Sequence, residues 1–155
     1  MRSVGKQQAS LAKMRIAGLE KIKTIGDAYM VAAGIPEARP DHAVAAAELA
    51  LRMQTAIKDF PGLEIRIGIN SGAVVAGVIG KKRFIYDLWG DTVNIAARME
   101  SQGISGEIQI SDATRALLPP DFICKDRGEI AVKGKGRMRV FLLKGRATRT
   151  NSISN

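Results

Sequence analysis

Prolines and glycines punctuate this chain so that only short elements fit between them, and the elements alternate in kind. Leu19 to Ile25 reads as a strand, paired with Ala28 to Ala33 through a tight turn at Gly26-Asp27. Pro36 to Pro40 is a loop. Asp41 caps a long helix with Ala43, Ala46, Ala47, Ala50, Leu51, Met53 and Ile57 on its apolar side, and Pro61-Gly62 ends it. Ile65 to Ser71 alternates as a strand does. Gly72 to Gly80 is small, apolar and glycine-rich, and Phe84 to Trp89 is a further strand. Asp91 caps a second helix, Thr92 to Ser101, which Gly103 to Gly106 terminates. Glu107 to Ile110 is a strand, Ser111 caps a short helix to Leu118, and Pro119-Pro120 breaks that helix. Phe122 to Asp126, Ile130 to Val132 and Arg137 to Lys144 form a closing antiparallel set. Several neighbouring strands are linked by hairpins, so the pattern predicts an α+β fold with helices on one face of a largely antiparallel sheet.

At 155 residues the chain fits one domain. Residues 1–18 are polar and basic with weak periodicity, a helical lead-in or disordered segment. Residues 19–146 form the folded domain and 147–155 a polar tail. The single cysteine, Cys124, allows no internal disulfide. The most apolar long stretch, Ala43 to Ile57, is interrupted by Glu48, Arg52 and Gln54, so no segment reads as inserting into a membrane. A net charge of +9 favours anionic partners. With aromatics at 5%, stacking platforms for single-stranded nucleic acid are scarce, and phosphate on a small ligand accounts for the charge at least as well.

Three segments carry chemistry. In Glu20 to Met30, alternation along a strand sets Lys21 and Lys23 apart from Ile22 and Thr24. Asp27 follows a glycine at the turn, where its carboxylate is either an ordinary turn residue or an oxygen ligand for Mg²⁺. In Phe84 to Arg98, Asn94 and Arg98 stand four apart on one helix face and can point at one anion. The bland alternative is a solvated polar stripe. Asp87, flanked by bulky neighbours, is a paired structural acid or a specific acceptor. In Val132-Lys133-Gly134-Lys135-Gly136, lysines interleaved with glycines suit a phosphate-binding loop or a basic hairpin turn.

Each segment is ambiguous alone, but their order is specific. From about Leu19 to Lys144 the chain resembles the catalytic domains of class III adenylyl and guanylyl cyclases, bacterial ones especially. Tyr86-Asp87-Leu88-Trp89-Gly90-Asp91-Thr92-Val93-Asn94-Ile95-Ala96-Ala97-Arg98-Met99-Glu100 matches the family signature almost throughout. The resemblance implies a ferredoxin-like (βαββαβ) catalytic domain whose active sites lie between two copies of the chain. It implies two divalent ions per site, Mg²⁺ or Mn²⁺, with Asp27 as one of two metal aspartates. Lys23 and Asp87 occupy the positions that read the base, Asn94 and Arg98 those that orient the ribose and stabilise the transition state, and Lys133 that of the lysine holding the terminal phosphates.

The reaction implied is attack of the ribose 3′-oxygen on the α-phosphorus, releasing pyrophosphate. Adenine offers an acceptor at N1 and a donor at its amino group, which Lys23 and Asp87 complement, whereas guanine reverses that edge. ATP is therefore the expected substrate and a homodimer the expected active form, in a cytoplasmic domain whose parent protein can be anchored by segments outside this chain. The family's first strand, with a Phe-x-Asp-Ile-x-x-Phe motif and the first metal aspartate, has no counterpart in Met1 to Gly18; Asp27 is the first aspartate in the chain. The expectation is a domain incomplete at that end, binding metal poorly and turning over slowly. Guanylate cyclase and a non-catalytic regulatory domain of the same fold are the alternatives. A basic nucleic-acid binder rests on charge alone.

Overall fold

The computed structural model describes residues 19–25, 27–35, 38–79 and 85–148, with the side chains of 20–25, 75–79 and 85–89 set aside. The lead-in over 1–18, Gly26 of the first turn, Pro36 of the first loop, the basic run Lys81 to Arg83 and the tail from 149 lie outside the described residues. The elements are β1 (Leu19–Ile25), β2 (Ala28–Ala33), α1 (His42–Ile57), β3 (Ile67–Ile69), β4 (Val75–Ile79), β5 (Ile85–Trp89), α2 (Asp91–Ser101), β6 (Ile108–Ser111), α3 (Asp112–Leu117), β7 (Phe122–Val132) and β8 (Gly136–Arg146). The chain is α+β, as the hairpin-linked pattern predicts. A four-stranded sheet runs β3-β6-β8-β7, and β1-β2 and β4-β5 are antiparallel hairpins. Among the described strand pairs only β3-β6 is parallel.

Alternation along two short strands organises the core. Ile67 and Ile69 of β3, with Ile108 and Ile110 of β6, join Ala43, Ala47 and Ala50 of α1, Phe122 and Leu143 in one apolar cluster. The residues between them face the other way. Gly68 lies against the backbone of α2, and the Gln109 amide donates to Met99 O at 3.1 Å. On that second face Met99 and Ile95 of α2 pack on Val132, Val140, Ile130 and Met138. The expectation of helices on one face is thus corrected: α1 and α2 cover opposite faces of the sheet. The period of two in β3 and β6 serves both.

Several local expectations shift. The glycine-rich Gly72 to Gly80 stretch contains a strand, β4, because Val75 and Val78 sit among residues small enough to pair closely with β5. Phe122 to Val132 is one strand bent by a bulge at Arg127, since Asp126 faces Phe141 and Gly128 faces Val140. Asp41 precedes α1 without capping it, because Arg39 takes both carboxylate oxygens at 2.6 and 2.8 Å. Asp91 is the first residue of α2, and Gly90 is the cap, at a φ of 113° that an L side chain rarely adopts. Ser111 does cap α3, accepting from Thr114 N at 3.3 Å. Among the described residues no helix is long and apolar enough to cross a membrane.

Candidate active site

α2 is amphipathic, with Met99 fully buried and Asp91, Asn94, Ala97, Arg98 and Ser101 exposed along one side. Asn94 and Arg98 therefore share the outward face, as their spacing predicts. Neither side chain makes a hydrogen bond or ion pair among the described residues. An exposed guanidinium and amide four residues apart are donors of the kind that suit phosphate or carboxylate oxygens.

The turn joining β7 to β8 holds Lys133, Gly134 and Lys135. Lys133 is exposed at its tip. Lys135 forms an ion pair with Asp91 at the start of α2. This contact, together with Val132 packing on Met99, brings the lysine–glycine turn to the helix that carries Asn94 and Arg98. Sequence reasoning had spent Asp91 on capping and so missed the pair. A long-range partner leaves no periodic trace along the chain.

Asp87 lies at the middle of β5, opposite Gly77, four residues before α2 begins. Lys23 lies in β1 opposite Met30, and β1 runs beside β5. The two strands carrying the expected base-reading pair are therefore neighbours. In β1, Lys21 opposes Val31 and Lys23 opposes Met30, leaving Ile22 as an extra residue. The strict alternation expected across Lys21, Ile22 and Lys23 is interrupted by this bulge, a device that re-aims side chains.

Asp27 is exposed in the turn between β1 and β2, with no hydrogen bond or ion pair among the described residues. Its oxygens suit a hard cation. No group of three or more His, Cys, Asp or Glu side chains gathers among the described residues. A lone accessible carboxylate fits an ion whose remaining ligands are substrate phosphates and water, the habit of Mg²⁺.

The base of α2 is held by polar groups. Asn70, just past β3, donates from Nδ2 to Thr92 O at 3.0 Å and accepts from Ser111 Oγ at 2.6 Å. Thr92 Oγ1 donates to Ala73 O at 2.6 Å. At the other end Arg127 donates to Gln102 O at 2.8 Å and to the Gln109 side chain. The one sequence signal for Gln109 was a polar residue set between two isoleucines.

The strand–glycine–helix unit thus carries an exposed Asn and Arg four apart, with a lysine turn tied to its start. The chain belongs to the family described as the adenylate and guanylate cyclase catalytic domain, which matches residues 7–145. It is 51% identical over 134 residues to an adenylate cyclase of Mycobacterium tuberculosis, covering 83% of this chain and 30% of that protein. It is 46% identical over 128 residues to a membrane guanylyl cyclase of Dictyostelium discoideum, covering 83% of this chain and 9% of that protein. The chain thus spans less than a third of either relative. Among solved structures it is similar to the guanylate cyclase domain of RhGC from Catenaria anguillulae in complex with GTP, with a TM-score of 0.78 and 40% identity over 93% of this chain and 86% of that one.

Proposed function

We propose that this chain is the catalytic domain of an adenylate cyclase, converting ATP to 3′,5′-cyclic AMP and pyrophosphate in sites shared between two copies. The observation that carries this reading is the outward face of α2, where Asn94 and Arg98 stand exposed beside the Lys133 turn. The ribose 3′-hydroxyl gives up its proton to solvent, and its oxygen forms a bond to the α-phosphorus. The bond from that phosphorus to the oxygen bridging to the β-phosphate breaks, and pyrophosphate leaves with the electron pair. Arg98 donates to the α-phosphoryl oxygens as charge builds on them, a role commonly worth ~2.7–4 kcal/mol for a preorganised donor. Asn94 orients the ribose so that attack is in line. Lys133 holds the terminal phosphates.

Asp27, together with the nucleotide's own phosphate oxygens, would hold the divalent ions, Mg²⁺ or Mn²⁺. Such ions supply activation of the attacking hydroxyl and neutralisation of the leaving group. We place the domain in the cytoplasm, where its nucleotide is.

Relatives of both base preferences lie at similar distance, so base choice rests on chemistry. Lys23 donates to adenine N1 and Asp87 accepts from the amino group; with guanine both would face like groups. Turnover of ATP and of GTP with Mn²⁺, at high protein concentration, tests the reading. Cyclic AMP as the main product is expected, and Lys23→Glu with Asp87→Cys should move preference toward GTP. Cyclic GTP-derived product from the unaltered chain would make it a guanylate cyclase. No cyclic nucleotide from either substrate would make it a regulatory domain of cyclase fold.

A further inference from the structure

We propose that Asn70 and Gln109 are positioning residues of the cyclase reaction, two side-chain amides that fix the rotation of α2 and so the aim of Asn94 and Arg98. The proposal rests on the cyclase reading above. Among the described residues the side chains of Asn94 and Arg98 make no bond of their own, so their aim depends on how the helix that carries them is seated. Apolar packing of Ile95 and Met99 on Val132 and Val140 holds the helix down. That attraction is non-directional, and it leaves rotation about the helix axis weakly defined.

Directional contacts to α2 include the Thr92 Oγ1–Ala73 O bond and the exposed Arg66–Glu100 pair, and from the sheet side they come from the two amides. Asn70 grips the first turn through Thr92 O, and its own oxygen is fixed by Ser111 Oγ. Ser111 is fully buried and is itself engaged with Thr114, so the Asn70 amide is oriented from behind. Gln109 is fully buried and grips the last turn through Met99 O. The amide of Gly103, which would serve that carbonyl in a longer helix, donates to Glu100 O instead. Gln109 is oriented in turn by Arg127, the bulged residue of β7, which also reaches Gln102 O. Thr92 and Met99 are seven apart and lie on one side of the helix. At about 100° per residue, Asn94 lies roughly 140–160° and Arg98 roughly 100–120° around the helix from them. The helix is pinned on a side turned away from Asn94, and a change of rotation there moves Asn94 and Arg98 together relative to the reacting phosphate. A misplacement of about 1 Å there is enough to cost about 10²-fold in rate.

The test compares Asn70→Ala and Gln109→Met with Ser71→Ala. Ser71 meets Thr114 hydroxyl to hydroxyl at 2.9 Å in the same network, and its side chain makes no hydrogen bond to α2 among the described residues. Steady-state kinetics with Mn²⁺-ATP, thermal melts and amide hydrogen exchange are read on each variant. Positioning predicts kcat lowered about 10- to 100-fold in Asn70→Ala. It predicts KM within about twofold of the unaltered chain, a melt no lower than that of Ser71→Ala, and little further loss when Asn70→Ala is added to Arg98→Ala. Should Gln109→Met fail to fold, Asn70→Ala carries the test alone. An unchanged kcat, an equal loss in Ser71→Ala, or a full additive loss in the Arg98→Ala background would overturn the proposal. If the unaltered chain makes no cyclic nucleotide, the cyclase reading fails, and exchange alone decides the seating of α2. Faster exchange over residues 93–98 in Asn70→Ala than in Ser71→Ala supports positioning, and equal exchange refutes it.

Discussion

Gly68 illustrates how one residue limits an interface. A Cβ there would sit 2.7 Å from Glu100 Cα and nearer still to its nitrogen, and the atoms met are helix backbone, which cannot turn aside. Gly68→Ala should therefore push α2 off the sheet, destabilising the chain by ~1–3 kcal/mol or more. A thermal melt reads this as a fall of about 2–4 °C per kcal/mol. Charge acts differently at the surface. The Arg139 guanidinium, with the Gly128 amide, holds the Asp126 carboxyl below its ordinary range, and Arg39 does the same to Asp41. A carboxyl depressed on folding contributes stability that is fully present above its unfolded pKa of about 3.9 and is lost as pH falls through the lower folded value. Melting temperature should accordingly show no pH dependence from these pairs between pH 7 and 5, where their stabilisation is fully present, and a loss only below about pH 4. Asp126→Asn should flatten part of that acid limb. The whole effect is small, because both carboxylates are exposed.

At the level of elements, the β7–β8 turn is tied to α2 by one exposed pair, Lys135 with Asp91. Exposed pairs contribute ~0–1 kcal/mol, so Lys135→Ala should leave the melt almost unmoved. Loosening the turn displaces Lys133, however, and the KM for ATP should rise while kcat changes less. Equal effects on both constants would show that the turn does more than hold the terminal phosphates. The same elements show what could be read in the sequence. The helices were legible from period and punctuation, and α2 with its Asn94 and Arg98 face was legible almost to the residue. β4 was not, because small residues pair as strands only when a partner such as β5 lies alongside. The bulges at Ile22 and Arg127 were not either, since a bulge is defined by the opposing strand. Capping was misjudged at Asp41 and Asp91 for one reason: each carboxylate found an arginine or lysine, a choice that depends on three-dimensional neighbours.

For the whole molecule, the proposed function divides the site between two copies, with Asp27 given by one and Lys23, Asp87, Asn94 and Arg98 by the other. Specific activity should then rise with protein concentration and level off as dimers saturate. Asp27→Ala and Arg98→Ala, each inactive alone, should regain activity when mixed, because one composite site in the mixed dimer keeps both native halves. Activity that is independent of dilution, with no recovery on mixing, would argue that each chain works alone. The paired isoleucines of β3 and β6 bear on a different matter. Residues 67, 69, 108 and 110 serve the cluster under α1, and the interleaved Gly68 and Gln109 serve α2. Robustness and aim are thus written on alternate letters of the same two short strands. A lineage, or an engineer, can rebuild the greasy half for heat tolerance while the reactive helix keeps its bearing, or retune the helix without loosening the core.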